Sequence, residues 1–331
     1  ANAPRVGILG GRRVRQGLGP FVARDLVAAG AEVPCFSVTS ARGIAPALAQ
    51  IERFANVSPR GYADVDQMLD EHALDAVAIL SPAETHEEHL RRAVRRGLAV
   101  LCEKPLVWGT PSLAATASEL VAAFAERDLL LYENCQWPCA LPAFERLHPG
   151  ALAAPPRRFA MELQPASRGL GALGDSLSHP LSVLQVLVPG DAPAVEAFRA
   201  EPHEGSEPRL TLQFRYRSGG RSCDVAVVLW HSDAVPRRAA LEIDGRPASR
   251  VVAPQTYQLS FCTAGRTVPI DDPLTILVAD FVARLRAPDA ADRRARARDI
   301  EVRMQLLAEL ASAYLQQVSR SEPKASEVHE E

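Results

Sequence analysis

The first third of the chain alternates short apolar runs with stretches whose apolar residues recur at helical spacing. We predict strands over residues 5–10, 32–38, 74–80, 98–102 and 129–132, and helices over residues 19–30, 85–96 and 111–127. Apolar strands that alternate with helices form a parallel sheet covered on both faces. The pattern therefore predicts an α/β domain with a doubly wound parallel sheet of the nucleotide-binding type.

Two residues add local detail to this first domain. Pro34 lacks a backbone N–H, which favours an edge or irregular position for the second strand. Thr85, followed three residues later by Glu88, matches a capping box and predicts that the helix over residues 85–96 begins with Thr85 as its N-cap.

After about residue 150 the pattern changes to that of an antiparallel sheet. Residues 209–216, 222–230 and 239–243 alternate or run apolar, and Gly219-Gly220 and Asp244-Gly245 have the composition of hairpin turns. Helices are predicted over residues 176–187, 274–285 and 299–318. We therefore expect a second, α+β domain with a large, mostly antiparallel sheet.

The predicted division is a dinucleotide-binding domain over residues 1–135, an α+β substrate and oligomerisation domain over residues 136–320, and a disordered tail over residues 321–331. The final helix could pack back on the first domain. The apolar run from Val225 to Trp230 does not alternate, which predicts that both faces of its strand are covered. The cover is either the protein's own helices or another subunit, and we expect a homo-oligomer, a dimer or tetramer, built through this sheet.

Composition narrows the class of protein. The 331 residues are 47% hydrophobic, enough for two buried cores, and the net charge of −3 argues against a nucleic-acid binder. No apolar run approaches the roughly 20 residues of a membrane span, and the start of the chain lacks a signal-peptide pattern, so we predict a cytoplasmic protein without membrane contact. The six cysteines show no disulfide-like clustering, and Cys135 with Cys139 lacks a second ligand pair, so no metal site is predicted.

A glycine-rich segment connects the first predicted strand to the first helix. Backbone N–H groups at such a junction can approach a pyrophosphate, which makes this the candidate cofactor loop. The spacing departs from G-x-G-x-x-G because the loop is longer and strongly basic; the alternative is a turn with solvated arginines. The candidate residues are Gly10, Gly11, Arg12, Arg13 and Gly17.

The end of the second strand carries no acidic residue for the ribose hydroxyls of NAD. Hydroxyl groups and an arginine stand there instead, and these suit the 2′-phosphate of NADP. NADP(H) is therefore favoured over NAD(H); the alternative is an ordinary polar loop. The candidate residues are Ser37, Thr39, Ser40 and Arg42.

Lysine is almost absent from this chain. Only two of the 37 basic residues are lysine, Lys104 and Lys324, and Lys104 lies at the end of a short apolar run. Arginine keeps its proton in proteins, whereas lysine can lose one and its pKa shifts readily on burial. A lysine where the chain otherwise uses arginine indicates a site that needs a compact or titratable ammonium; the alternative is chance.

Three segments together resemble the glucose-fructose oxidoreductase / inositol dehydrogenase (Gfo/Idh/MocA) family. Residues 75–82, followed by Thr85-His86, are similar to the family's strand-to-helix turn over the cofactor. Residues 97–105 resemble its E-K-P segment, and residues 174–179 its D-x-x-x-H motif. The resemblance covers most of the chain and implies a Rossmann domain followed by a substrate domain.

The resemblance also implies roles for particular residues. Lys104 would hold the substrate hydroxyl beside the nicotinamide, and His179 would be the general base for oxidation and the acid for reduction. Asp175, one helical turn before His179, would contact substrate or tune the histidine. A cis Lys104–Pro105 bond is implied as well. The remaining implied cofactor contacts are Ser81, Pro82, His86 and Glu103, of which Glu103 is favoured as structural or cofactor-orienting.

Departures from the family pattern leave the substrate open. Gln136 stands before Trp137 where relatives often carry an arginine, and Pro180 follows His179 where many carry an acid. Gln136 and Trp137 are candidate substrate contacts. The favoured function is an NAD(P)-dependent oxidoreductase acting on a carbinol or ketone of a sugar, cyclitol or related polyol. The alternatives are a reductase of an imine or enone in a biosynthetic pathway and a non-catalytic nucleotide-binding regulator.

Overall fold

The computed structural model describes residues 2–12 and 17–321. Its first sheet consists of β1 (Val6–Leu9), β2 (Cys35–Ser37), β3 (Arg60–Tyr62), β4 (Ala76–Ile79), β5 (Ala99–Glu103) and β6 (Leu131–Asn134). The helices of this part are α1 (Gly19–Ala28), α2 (Ile44–Ala55), α3 (Val65–Glu71), α4 (His86–Arg96), α5 (Leu113–Glu126) and α6 (Leu141–Leu147). Short 3₁₀ helices cover Ala41–Gly43, Ala83–Thr85 and Trp137–Ala140.

The first sheet is parallel throughout, in the order β3-β2-β1-β4-β5-β6. Every residue of β1, β4 and β6 is buried, as expected for strands covered on both faces. The doubly wound fold is therefore confirmed. The strand order reverses between β1 and β4, which is where such sheets open a ligand crevice at their carboxyl ends.

Two strand predictions need correction. The second strand begins only after Pro34 and lies inside the sheet, because β3 pairs on its outer side. The structure thus has one strand more than predicted in this region. β3 spans only three residues, too few for a hydrophobic period to stand out in the sequence.

The predicted capping box at α4 is not formed. A 3₁₀ turn precedes the helix, and the hydroxyl of Thr85 donates within that turn, to Ser81 Oγ and Pro82 O at 2.7 Å each, instead of capping α4. The local bond to Pro82 satisfies the hydroxyl just as well, which is why the sequence motif misleads here.

The second sheet is large and mixed but mostly antiparallel, as predicted. Its strands are β7 (Arg158–Leu163), β8 (Ala194–His203), β9 (Arg209–Ser218), β10 (Arg221–Trp230), β11 (Ala240–Ile243), β12 (Arg246–Val252), β13 (Leu259–Thr263) and β14 (Arg266–Ile270). Two helices, α7 (Gly169–Ser176) and α8 (Ser178–Leu187), lie between β7 and β8 in the chain. The strand order is β14-β13-β12-β11-β7-β10-β9-β8, and only β7 and β10 pair in parallel. Both predicted hairpin turns are confirmed, since Ser218 pairs with Arg221 and Ile243 with Arg246.

The expectation that both faces of the apolar strand are covered is wrong for this chain by itself. In β10, Val225, Val227 and Leu229 are buried, whereas Val228 and Trp230 are only half-buried. Burial therefore alternates although the sequence does not. On the outer face, Arg238 and Arg209 lie over the ring of Trp230, so the cover there is partial and charged.

Two helix predictions also differ from the structure. The helix predicted over residues 176–187 is present as α8, which begins two residues later, and it is preceded by α7, which was not predicted. The chain ends in α9 (Pro273–Arg286) and α10 (Ala290–Ser321). α10 starts nine residues before the predicted residue 299, and ion pairs of Arg296 and Arg284 with Asp292 stabilise its first turns.

The chain divides into two compact units that are not contiguous in sequence. One comprises residues 1–143, 254–259 and 269–305, and the other residues 144–253, 260–268 and 306–331. In the first unit, Val278 and Phe281 of α9 join Val22 and Leu26 of α1 in the core beside β1. Each of these buried side chains contributes about 1.5–3 kcal/mol.

In the described part of the chain, no helix is long and apolar enough to cross a membrane, and no group of three or more metal-ligating side chains lies together. The six cysteines are free thiols. The predicted cofactor residue Arg13 and the predicted disordered tail after residue 321 lie outside the described residues.

Candidate active site

The carboxyl ends of β1 and β4 approach each other closely at Gly10. This residue has a φ of +95°, and a Cβ added to it would lie 2.7 Å from the backbone nitrogen of Ser81. A Cβ on Gly19, the first residue of α1, would lie 2.5 Å from Gly11 O. Both positions therefore require glycine, and both lie where the crevice at the sheet's switch point begins.

The N–H groups of Gly10 and Gly11 are not available to a pyrophosphate in the way the sequence suggests. Both donate to Ser37 O, at 3.2 and 3.0 Å. These bonds tie the end of β1 to the end of β2. The two glycines leave space for a ligand because they have no side chains. Of the other candidate residues of this loop, Arg12 is exposed and Gly17 is half-buried, and residues 13–16 between them are not described.

The loop after β2 divides its predicted residues into buried and exposed. The side chain of Ser37 is buried, whereas Thr39 and Arg42 are exposed and Ser40 is half-buried. Arg42 lies in the 3₁₀ turn Ala41–Gly43. The three accessible side chains have the donors that a phosphate group requires.

Lys104 follows the last residue of β5, at the carboxyl edge of the parallel sheet. The Lys104–Pro105 peptide bond is cis, which confirms the prediction. Lys104 is half-buried, while Pro105 and Leu106 are buried. The backbone of this short loop is therefore enclosed and its lysine retains access to the edge of the sheet.

His86, the first residue of α4, joins that loop to the turn after β4. Its Nδ1 lies 2.9 Å from Pro105 O and its Nε2 2.9 Å from Ser81 O. The side chain is 1% exposed, and burial lowers its pKa despite the two carbonyls, which favour the charged ring. Both ring nitrogens are thus directed at the protein's own backbone, and His86 holds two candidate cofactor segments together.

Glu103 and Asn134 form a second contact beside Lys104. The amide nitrogen of Asn134 donates to the carboxyl of Glu103, and the buried Asn134 is the last residue of β6. Burial raises the pKa of Glu103 to about 7, although Lys104 and the bond from Asn134 act in the opposite direction. A carboxyl that changes charge near neutrality therefore lies next to the lysine.

The sequence prediction missed two charged residues beneath the loop. Glu133 of β6 accepts the Leu106 N–H at 2.9 Å through Oε1, and its Oε2 accepts Nε and Nη2 of Arg303 at 2.8 and 2.7 Å. Both side chains are buried, at 0% and 8% exposure. The sequence did contain signals that could have identified these two residues. Glu133 is an acid within an apolar strand, and Arg303 stands beside Met304 on an apolar helix face.

The other predicted substrate contacts lie in different elements. Gln136 precedes the 3₁₀ turn Trp137–Ala140; Gln136 is half-buried and Trp137 is buried. In the second unit, Asp175 belongs to α7 and His179 to α8, and Leu177 between the two helices keeps helical backbone angles. Asp175 accepts the backbone N–H of Ser167 at 3.0 Å, and both Asp175 and His179 are half-buried.

Residues 5–135 match the model of an oxidoreductase family with an NAD-binding Rossmann fold, the Gfo/Idh/MocA family. The matched stretch contains the whole parallel sheet, β1 to β6, and supports the family resemblance of the sequence motifs. A dTDP-3,4-didehydro-2,6-dideoxy-α-D-glucose 3-reductase from Actinomadura kijaniata is 41% identical over 83 residues, 25% of this chain and 23% of that protein. An inositol 2-dehydrogenase from Leifsonia xyli is 51% identical over 47 residues, 14% of each chain. The matched segments thus span about a quarter or less of the length of these relatives.

Solved structures match over nearly the whole chain and show the fold. A 3-ketoreductase from Actinomadura kijaniata in complex with NADP has a TM-score of 0.65 at 22% identity, covering 94% of this chain and 97% of the other. GenD2 from gentamicin A biosynthesis, in complex with NAD, has a TM-score of 0.67 at 17% identity, covering 96% and 95%. The predicted fold class, a parallel sheet followed by a large, mostly antiparallel sheet, is therefore confirmed.

Proposed function

We propose that this protein is an NAD(P)-dependent oxidoreductase that acts on a carbinol or ketone of a sugar, cyclitol or related polyol. The observation that carries the proposal is the placement of Lys104, the only lysine of the described residues, at the carboxyl edge of β5. Pro105 O of its loop faces the ring of His86, which also faces Ser81 O in the turn after β4, one of the two strands of the switch point. A cationic donor held there suits a substrate oxygen beside a cofactor.

The residues at the switch point fit a dinucleotide. Gly10 removes the side chain that would fill the crevice against Ser81, and Thr39, Ser40 and Arg42 offer donors after β2. The remaining proposed contacts are Gly11, Arg12, Arg13, Gly17, Ser37, Pro82, His86 and Glu103. A bound nicotinamide cofactor would supply the hydride chemistry. NADP(H) is favoured over NAD(H), because the end of β2 has hydroxyls and Arg42 where an acid would bind an unmodified ribose.

The proton path is proposed from the family resemblance. Lys104 holds the substrate oxygen, His179 takes its proton during oxidation or returns it during reduction, and Asp175 contacts substrate or tunes the histidine. Gln136 and Trp137 are proposed substrate contacts.

Sugar and cyclitol substrates are preferred over the alternatives because of the relatives. The matched sequence relatives are named for a keto-sugar nucleotide and for inositol. A reductase of an imine or enone would use His179 as proton donor without polyol contacts. A non-catalytic regulator would bind cofactor without turnover, and the presence of Lys104, Asp175 and His179 argues against it. A cytoplasmic location and the absence of nucleic-acid partners stay predictions.

The test is cofactor absorbance with a substrate panel in both directions. Purified protein is mixed with NADP⁺ or NAD⁺ and free polyols, cyclitols and nucleotide-linked sugars, and with reduced cofactor and the matching ketones. Mass spectrometry of small molecules that copurify narrows the panel. Turnover of any member supports the proposal. Turnover only with imines or enones favours the second function, and bound cofactor without any turnover favours the third.

We also propose that the second sheet forms a homo-oligomer through its outer face. The half-buried Val228 and Trp230 lie on that face, and a groove of about 440 Å³ crosses it beside the β-bulge of β8. A second copy would complete the burial of these two half-buried side chains. Light scattering at micromolar concentration tests this: Val228→Glu should convert the oligomer to a monomer, and a monomeric parent protein would contradict the proposal.

A further inference from the structure

The backbone around Lys104 is held from below by buried side chains of other elements. Pro105 O faces the ring of His86, and the Leu106 N–H donates to Glu133 at 2.9 Å. Leu106 is two residues from Lys104, so the bond from Glu133 restrains the segment from which the lysine projects. A shift of that segment would move the ammonium by a comparable distance.

Glu133 reaches the loop while bound to Arg303, which is 170 residues away in sequence. The two oxygens of the carboxylate have separate partners: Oε1 takes the Leu106 N–H, and Oε2 takes Arg303 and the thiol of Cys135 at 3.4 Å. Arg303 is buried, which disfavours its charge, but the nearby thiol of Cys135 and Glu133 raise its pKa in total. Arg303 therefore compensates a buried carboxylate and fixes its orientation.

Burying an ion pair is a costly way to gain stability, because both charges lose their hydration. The buried pair of Glu133 and Arg303 is not needed to attach α10 to β6. One residue earlier on the same strand, the hydroxyl of Tyr132 donates to Asp280 at 2.7 Å, and Arg296 of α10 bonds the same carboxylate at 3.1 Å. Tyr132 and Glu133 point to opposite faces of the strand, so only Glu133 faces the lysine loop.

We propose that Glu133 and Arg303 are positioning residues for Lys104. Glu133 supplies the acceptor that fixes the Leu106 N–H, and Arg303 keeps that acceptor in place. This inference deepens the proposed function and rests on it for its catalytic consequence. Neither residue touches the reacting atoms; both act through the backbone of the loop.

The test compares two variants without buried charge. Glu133→Gln/Arg303→Met keeps an amide oxygen for the Leu106 N–H, whereas Glu133→Met/Arg303→Met removes the acceptor. Replacing both ions by neutral groups avoids an uncompensated buried charge. Tyr132→Phe is the matched control, because it removes a bond between β6 and α9 on the opposite face.

The first measurement needs no substrate. Limited acylation with an amine reagent, followed by mass spectrometry, reports the reactivity of Lys104, and Lys324 gives a reference in the same sample because the chain has only these two lysines. We expect the acceptor-free variant to change the Lys104 rate at least about threefold and to speed amide exchange at Leu106 about tenfold or more. The amide variant and Tyr132→Phe should stay within about twofold of the parent rate. Equal rates in both double variants would overturn the proposal.

The second measurement is a cycle with Lys104→Met. In the parent background the acceptor-free variant should lower kcat roughly ten- to hundredfold relative to the amide variant, with cofactor affinity unchanged. In the Lys104→Met background the same comparison should change kcat by less than about twofold, because the positioned group is gone. Equal effects in both backgrounds would mean a role independent of Lys104 and would contradict the inference. Absence of turnover in the parent protein would refute the proposed function alone, since labelling still decides the positioning.

Discussion

The loops after β5 and β2 end at the same edge of one parallel sheet, yet they are built in opposite ways. The backbone of the Lys104 loop is buried and bonded to side chains from α4 and β6. The loop after β2 carries the exposed Thr39 and leads into a local 3₁₀ turn that holds the exposed Arg42. One loop is specified by distant residues and the other by its own composition. We therefore expect loss of the buried contacts of the first loop to lower stability and loss of its lysine to lower turnover. Changes at the second loop should affect only the choice of cofactor.

The largest expected effect tests whether the buried loop presents a reacting group. Lys104→Met and His179→Ala should each lower turnover about 10²–10⁴-fold. Lys104→Arg should be nearly as damaging, because a planar guanidinium that keeps its proton replaces a compact ammonium. Cofactor affinity and the thermal midpoint, measured on the same samples, should stay nearly unchanged. If Lys104→Arg retains most of the activity, only positive charge is needed there.

His86→Ala tests whether the loop depends on buried contacts. The substitution leaves the carbonyls of Ser81 and Pro105 without the ring that faces them and opens a cavity, so we expect a loss of about 2–4 kcal/mol in the free energy of unfolding. Urea denaturation measures it. His89→Ala, one turn further along α4 at a half-buried position, is the matched control and should cost about 1 kcal/mol or less. Equal losses in the two variants would contradict the expectation that the buried contacts of His86 stabilise the loop.

The carboxyl beside Lys104 should make stability depend on pH. The pKa of Glu103 is raised to about 7 in the folded protein, so the folded state binds its proton more tightly than the unfolded state. The resulting stabilisation is present at pH 5 and is lost as the pH rises through 7, by at most about 3 kcal/mol.

Glu103→Gln should flatten this part of the curve. The groups that affect the pKa of Glu103 are Lys104, Asn134 and Glu133. All three are the same in the parent protein and in the Glu103→Gln variant, so any difference between the two pH curves comes from Glu103. Urea midpoints at pH 5, 6, 7 and 8 measure the difference between the two proteins. A parallel pair of curves would mean that Glu103 keeps its charge throughout this range.

The smallest expected effect concerns the exposed loop. Arg42→Ala should reduce the preference for NADPH over NADH about tenfold, since one exposed arginine bonded to a phosphate contributes about 1.5 kcal/mol. Fluorescence titration with both reduced cofactors measures it. Arg53→Ala removes an exposed arginine from α2 and should leave the ratio unchanged. Tighter binding of NADH by the parent protein would refute the NADP preference itself.

The sequence predicted what depends on short-range pattern. Hydrophobic period predicted five of the six strands of the first sheet, and turn composition predicted both hairpin turns. The family motif predicted the cis Lys104–Pro105 bond and the position of Lys104 at a strand end. The sequence prediction failed at Thr85 because its hydroxyl can either cap α4 or bond Pro82 O, and the structure has the second bond. It failed at β3 because a strand of three residues is too short to show a hydrophobic period.

By itself, then, the sequence determined the order of elements, the fold class and the residues able to do chemistry, because these rest on periods of a few residues and on residue type. Only the tertiary structure decided what holds them. The contact of Arg303 with Glu133 joins residues 170 positions apart, and the two carbonyls that face His86 come from loops after different strands. Burial also decided the pKa of Glu103, which is raised to about 7 by desolvation. Only the packed chain brings this burial and the neighbouring charges together.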